Sequence, residues 1–436
     1  MKPFVFRRSL GLKGKISLPG DKSIGHRAVI LSSLACGKTT VYNLPLNEDC
    51  LATINSFKAL GVRFKSSRSS VIIFGNGFQG LVEPKLPIFI KESGTTFRLL
   101  LGVLSGLGLK AKLVAGPALS KRPFSRVIKP LRLMGANIVA KVKNDQERPP
   151  FNILKSDLKG ISYRLPVASA QVKSAILLAG LFAKGITRVI EPLKTRDHSE
   201  RMLKLYKANI KIKANSISIK NGKNLVSPGT LYIPGDLSSA AFFIVGASII
   251  PNSKLLIKNV SLNPGRIGAL KVLRKMQANI KIQKITKNLK GNEPMGDLFI
   301  KSAKLKGTRI NKDEVPSLID ELPILMVAAC LAKGKTVFEG VGELRLKETD
   351  RIRSMAEGLK KMGAKIKVSR TGGEENIIIE GVKELKAAKV KSFGDHRSAM
   401  SLIIAGLAAS GNSRIDDVTC INKSFPEFLS ILSKLT

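Results

Sequence analysis

At 436 residues the chain exceeds what one hydrophobic core usually serves, so two domains or one repeated architecture is the starting expectation. Apolar residues make up 44%, yet Trp is absent and aromatics are only 5%, so the core must be aliphatic. The 74 Lys and Arg outnumber the 31 Asp and Glu, giving +43. That charge is spread along the whole chain, mostly as Lys, with no basic tail and few aromatics to stack on bases. It reads as a solvated surface that steers anions rather than a nucleic-acid interface.

The opening residues, Met1 to Arg8, lack an apolar stretch and a small-residue cleavage site. Apolar runs such as Ala399 to Ala409 fall short of a bilayer span, so a cytoplasmic protein without membrane contact is expected. Cys36, Cys50, Cys330 and Cys420 are far apart with no CxxC pair, which fits reduced structural thiols. His26, His198 and His396 have no metal-ligand spacing, so no metal is expected.

Compared with itself, the chain shows one pattern six times: a small-residue turn, an apolar helix, a Gly-containing break, then a β-branched strand. The copies run from Asp21-Lys22-Ser23 to Val41, Ser93-Gly94-Thr95 to Val114, and Ala168-Ser169-Ala170-Gln171 to Ile190. They continue from Asp236-Leu237-Ser238 to Val260, Ile319-Asp320-Glu321 to Val341, and Gly394-Asp395-His396 to Val418. Anchors at 23, 94, 169, 238, 320 and 395 are 71, 75, 69, 82 and 75 residues apart. Between them a second, amphipathic helix ends in a matching tag: Leu60-Gly61-Val62, Met134-Gly135-Ala136-Asn137, Tyr206-Lys207-Ala208-Asn209, Met276-Gln277-Ala278-Asn279 and Met362-Gly363-Ala364. The Gly or Asn past each helix is the expected left-handed C-cap. In the sixth copy the second helix, near Pro426 to Leu435, ends the chain.

Six such units need two cores, so two similar α/β domains of three repeats are expected, cut at Tyr232-Ile233-Pro234-Gly235-Asp236. Leu18-Pro19-Gly20-Asp21 reads as a second crossing if Phe4-Val5-Phe6 pairs with the later half. The domains are then 1–20 with 235–436, and 21–234.

Helix N-termini carry unpaired amides and the positive end of the macrodipole, so small residues there let an anion approach closely. Lys22, Arg27, Arg98, Lys173 and Arg397 lie next to such starts. Lys22, beside a Ser cap, opposes the dipole and calls for a compensating anion. Lys347 and Arg351 read as i and i+4 on one helical face, with Glu348 and Asp350 beside them.

Gly20-Asp21-Lys22-Ser23-Ile24-Gly25-His26-Arg27, Ser93-Gly94-Thr95, Lys121-Arg122-Pro123, Leu165 to Ser174, Lys347-Glu348-Thr349-Asp350-Arg351 and Gly394-Asp395-His396-Arg397 occur in one order from end to end. In these the chain resembles the 5-enolpyruvylshikimate-3-phosphate synthase family. Thr195-Arg196-Asp197-His198 and Leu318-Ile319-Asp320-Glu321 look like its class II bacterial branch. The resemblance implies a fold of two three-repeat domains with the site in the cleft between them, no cofactor, and action as a monomer. The implied reaction is transfer of the enolpyruvyl group of phosphoenolpyruvate to the 5-hydroxyl of shikimate 3-phosphate. It also implies that Lys22, Ser23, Arg27, Ser169, Gln171 and Arg196 hold shikimate 3-phosphate, with Asp320 and Lys347 near its hydroxyls. Gly94, Arg122, Gln171, Arg351, Arg397 and Lys423 then hold phosphoenolpyruvate. Asp320 is the candidate base, Lys22 and Glu348 the candidates for exchanging the methylene and phosphate protons, and His396 is read as positioning the site.

Two residues depart from the family pattern: Glu92, where Asn is usual, and Gly25, where Ser is usual. Glu92 is expected to point away from the substrate or to pair with a Lys. The related transferase acting on UDP-N-acetylglucosamine is disfavoured because the loop from Ala111 to Ser125 has no Cys.

Overall fold

The computed structural model describes residues 3–67, 69–143, 146–222, 224–286 and 293–436; Met1 and Lys2 of the opening segment lie outside them. The chain divides into two compact units. A continuous unit comprises Gly20–Ile233 with Glu293, and a discontinuous one comprises residues 3–19, Pro234–Thr286 and Pro294–Thr436.

Five of the six copies build the same four-stranded sheet, in which a short edge strand and the strand after the helix run parallel, followed by an antiparallel hairpin. In the second copy these are Ile88–Phe89, Ala111–Val114, Gln146–Leu154 and Asn137–Lys143. Parallel pairing requires a crossover, and the helix Gly94–Leu107 supplies it. The edge strand of the first copy is not the segment that precedes its helix. Thr230–Tyr232 fills that place beside Cys36–Tyr42, while Lys13–Ser17 pairs with Lys254–Ser261 in the fourth copy. The sixth copy lacks a hairpin, and Phe4–Arg7 takes its place, antiparallel to Asn412–Ile415.

The crossover helices are buried nearly all round, which is why their sequences read as continuous apolar runs. In the discontinuous unit Leu237–Ile249, Leu322–Cys330 and His396–Ala408 pack on one another. In the continuous unit Gly94–Leu107 lies so close to Ala170–Gly180 that a Cβ on Gly102 would sit 2.2 Å from the Ala175 carbonyl oxygen. Each unit has its own aliphatic core.

Asp21, Ser93, Ser169, Asp236 and Asp395 cap these helices by accepting first-turn amides. At Glu321 no side-chain cap forms, and Pro323 occupies the first turn, where an amide has no helical partner. Three sequence expectations need correction. The first cap is Asp21, whose carboxylate accepts Ile24 N–H, and Ser23 is already inside the helix. Lys347 and Arg351 do not share a helical face, because Asp350 caps a helix that begins at Arg351 and leaves Lys347 and Glu348 before it. The left-handed residues are Gly61, Gly135, Lys207, Gln277 and Gly363, with φ from 63° to 101°. Asn137 and Asn279 open the strands that follow and Asn209 directly precedes one, since the second tag residue is the one that meets the helix end.

Candidate active site

In the continuous unit the starts of the three crossover helices converge. Gln171 Nε2 donates to Thr95 Oγ1 at 3.0 Å, tying the third start to the second. Arg27 ties the first to the third: Nη1 donates to Ser23 O at 2.8 Å, Nη2 to Ser174 Oγ at 2.7 Å, and Nε to Ser199 Oγ at 2.6 Å. Burial pulls the Arg27 pKa down to about 10, with Glu200 and Asp21 opposing the shift, so the group is charged at neutral pH. Lys22 Nζ meets Asp49 Oδ2 at 2.7 Å, and both remain partly exposed. Gly94 opens its helix at a point where a Cβ would lie 2.7 Å from Arg98 Nη1 and 3.4 Å from Arg122 Nη1. A side chain there would therefore crowd Arg98 and come into contact with Arg122. Ser169 caps the third helix.

Lys173 plays a different part from the one its sequence position suggested. It is fully buried, with Nζ 2.6 Å from Glu200 Oε1, 3.1 Å from Glu191 Oε1 and 3.1 Å from the Arg196 carbonyl oxygen. Its charge is consumed inside the protein, and its partners lie on the loop that carries Arg196 and in the first turn of the helix His198–Leu205 that follows. Glu191 also accepts the Thr195 amide at 3.2 Å and the Thr195 hydroxyl. Burial raises the Glu200 pKa, against the pull of Lys173.

The two departures have local explanations. A Cβ at Gly25 would meet Pro45 Cγ at 2.9 Å, Pro45 Cδ at 3.0 Å and Cys50 Sγ at 3.3 Å, so Pro45 and Cys50 fill the space a Ser needs. Glu92 turns its carboxylate onto backbone, accepting Ala118 N–H at 3.2 Å and Leu119 N–H at 2.7 Å. Its partners are amides and not a lysine.

The discontinuous unit gathers opposite charges around Asp320. Its carboxylate lies 3.8 Å from Arg351 Nη1, 3.8 Å from Arg266 Nη1 and 4.0 Å from Arg397 Nη2, and its carbonyl oxygen accepts from Arg397 Nη1 at 2.8 Å. Arg351 is buried; Nε donates to Asp395 Oδ2 at 3.0 Å and Nη2 to Glu348 Oε2 at 2.5 Å. Burial alone would lower its pKa, but Asp395, Glu348 and Asp320 hold it above the usual arginine range. Burial lowers the pKa of Lys347, with Asp320 and Glu343 opposing it. Lys423 ends a 3-10 turn, Thr419–Lys423, that packs on the helix His396–Ala408.

Arg266 goes unread in the sequence, and Glu321 and Asp395 stand there only as motif residues without a role. Arg266 is buried on a turn of the fourth copy and donates to Ser238 Oγ at 2.6 Å, Asp236 Oδ1 at 3.3 Å and Glu321 Oε1 at 3.4 Å. The preceding Asn263-Pro264-Gly265 turn was the available signal. Asp49 was legible as a first-turn acid after the Asn47 cap.

Two outcomes follow. Lys173→Met leaves Glu191 and Glu200 buried without their cation and is expected to cost roughly 3–5 kcal/mol in a denaturant titration, whereas Lys22→Met costs less than about 1 kcal/mol. His26 is buried with Nδ1 2.7 Å from Thr53 Oγ1, and burial, then the charges of Lys22 and Arg27, hold its pKa well below 6.5. The unfolded chain binds a proton there that the native state refuses, so stability falls as pH drops below about 6.5. The same titration on His26→Gln should show a shallower fall.

The sequence model of the EPSP synthase (3-phosphoshikimate 1-carboxyvinyltransferase) family matches residues 7–432. The 3-phosphoshikimate 1-carboxyvinyltransferase of Petrotoga mobilis is 47% identical, with 97% of each chain covered. That of Thermodesulfovibrio yellowstonii is 46% identical, with 99% of each covered. A solved EPSP synthase from Acinetobacter baumannii superposes with a TM-score of 0.87 at 40% identity, covering 100% of this chain and 98% of that one. With the family model matching residues 7–432 and relatives alike over nearly the whole chain, the chain belongs to the EPSP synthase family.

Proposed function

We propose that the chain transfers the enolpyruvyl group of phosphoenolpyruvate to the 5-hydroxyl of shikimate 3-phosphate and releases phosphate, a step of aromatic amino-acid biosynthesis. The observation that carries this reading furthest is Asp320, a part-exposed carboxylate with Arg266, Arg351 and Arg397 within 3.8–4.0 Å. Both substrates are small anions, and cations at helix starts are suited to holding them.

In this reading Lys22, Ser23, Arg27, Ser169, Gln171 and Arg196 hold shikimate 3-phosphate, with Lys347 near its hydroxyls. Gly94, Arg122, Gln171, Arg351, Arg397 and Lys423 hold phosphoenolpyruvate; the planar arginine fork suits its carboxylate and phosphate. Asp320 takes the 5-hydroxyl proton as the oxygen bonds to the substituted vinyl carbon. Lys22 or Glu348 delivers a proton to the methylene carbon. The second half reverses these roles: a methyl proton leaves, the double bond reforms, and the carbon–oxygen bond to phosphate breaks. Lys22 Nζ donates to Asp49 Oδ2, and Arg351 Nη2 donates to Glu348 Oε2, which favours the ionised form of that carboxylate.

The class II assignment rests on Thr195-Arg196-Asp197-His198 and Leu318-Ile319-Asp320-Glu321. A monomer working in the cytoplasm without nucleic-acid or membrane partners completes the reading. Among the described residues no helix is long and apolar enough to cross a membrane. Replacing Asp320 by Ala is expected to lower kcat for phosphate release by about 10²–10⁴-fold. An Asp320→Ala enzyme with an unchanged rate would remove it as the base.

A further inference from the structure

We propose that Glu92 is a positioning residue whose carboxylate clamps the Gly116–Lys121 turn to the start of the helix Gly94–Leu107, fixing Arg122 against Gly94 for phosphoenolpyruvate. This rests on the reading of Gly94 and Arg122 as phosphoenolpyruvate groups. The clamp begins at Lys91, a non-glycine residue in the left-handed region with φ of 53°. That bend aims the Lys91 carbonyl and the Glu92 side chain at the same turn. Gly116 N–H donates to Lys91 O at 2.6 Å, Ala118 N–H to Glu92 Oε1 at 3.2 Å, and Leu119 N–H to Glu92 Oε2 at 2.7 Å. Gly116 is required for this closeness, since a Cβ there would lie 2.3 Å from Glu92 Oε1.

Ala118 and Leu119 open the 3-10 turn Leu119–Lys121, where amides have no partner within the turn. Arg122 closes it, its N–H donating to Leu119 O at 3.0 Å. Both carboxylate oxygens therefore hold the turn whose last bond sets the Arg122 backbone. The Asn usual in the family has a single acceptor oxygen and one methylene less, so it cannot reproduce the pair. With its charge directed at two amides, Glu92 is compatible with an anion nearby.

Steady-state phosphate release by the full-length chain tests this, varying each substrate at saturation of the other. Glu92→Ala is expected to raise KM for phosphoenolpyruvate about tenfold while KM for shikimate 3-phosphate stays within about twofold. The near-isosteric Glu92→Gln, with one acceptor oxygen, should fall between. In an Arg122→Ala background, Glu92→Ala should add less than about twofold, because its effect passes through Arg122. A lowered or unmoved phosphoenolpyruvate KM in Glu92→Gln and Glu92→Ala overturns the assignment. So does an equal rise in both KM values, or a full tenfold effect without Arg122. Native protein that releases no phosphate sinks the reaction itself, whereas an active native enzyme with unmoved Glu92 variants sinks only the clamp.

Discussion

A cation at a helix N-terminus opposes the helix dipole, and this protein stations several there by giving them carboxylate partners. Lys22 has Asp49; Arg351 has Asp395 and Glu348; Arg397 faces Asp320. The six-fold repeat supplies the helix starts, and the acids make it possible to keep charge at them without ligand. Where the pair is partly exposed, as for Lys22 and Asp49, the cation stays within reach of an anion from solvent. Where it is sealed, as for Lys173 with Glu191 and Glu200, the charge instead fixes a loop. The same residue type is thus left accessible or sealed into the architecture according to its depth.

Repeat number, aliphatic cores and crossover helices were legible because each copy repeats the same apolar run and helix-ending tag. Details decided by a shift of two residues were not. Asp21 and Ser23 are both good caps, and only the backbone path shows that Asp21 takes the role. Asp350 likewise ends the apparent continuity between Lys347 and Arg351. The burial of Lys173 was hidden because its acids arrive from a later loop and the helix after it, and Arg266 because its copy carried no other site residue. Glu92 looked uncomfortable in sequence since the amides that satisfy it lie more than twenty residues on.

The high positive charge has a plain location in the repeat. Hairpin strands alternate inward aliphatic residues with exposed lysines, as in Lys365-Ile366-Lys367, where Ile366 is buried and both lysines are exposed. Lys281 is likewise exposed in Asn279–Thr286, as are Lys211 and Lys213 in Ile210–Lys213. Such lysines recur on the hairpins of three separate sheets, which suits general attraction of anions more than recognition of a polymer.

The central claim is that these helix starts serve one acceptor and one donor, and acceptor selectivity tests it most directly. Phosphate release from phosphoenolpyruvate should be measured on the native chain with shikimate 3-phosphate and, separately, with UDP-N-acetylglucosamine. Release is expected with shikimate 3-phosphate alone; release with UDP-N-acetylglucosamine, or with neither acceptor, would contradict that assignment.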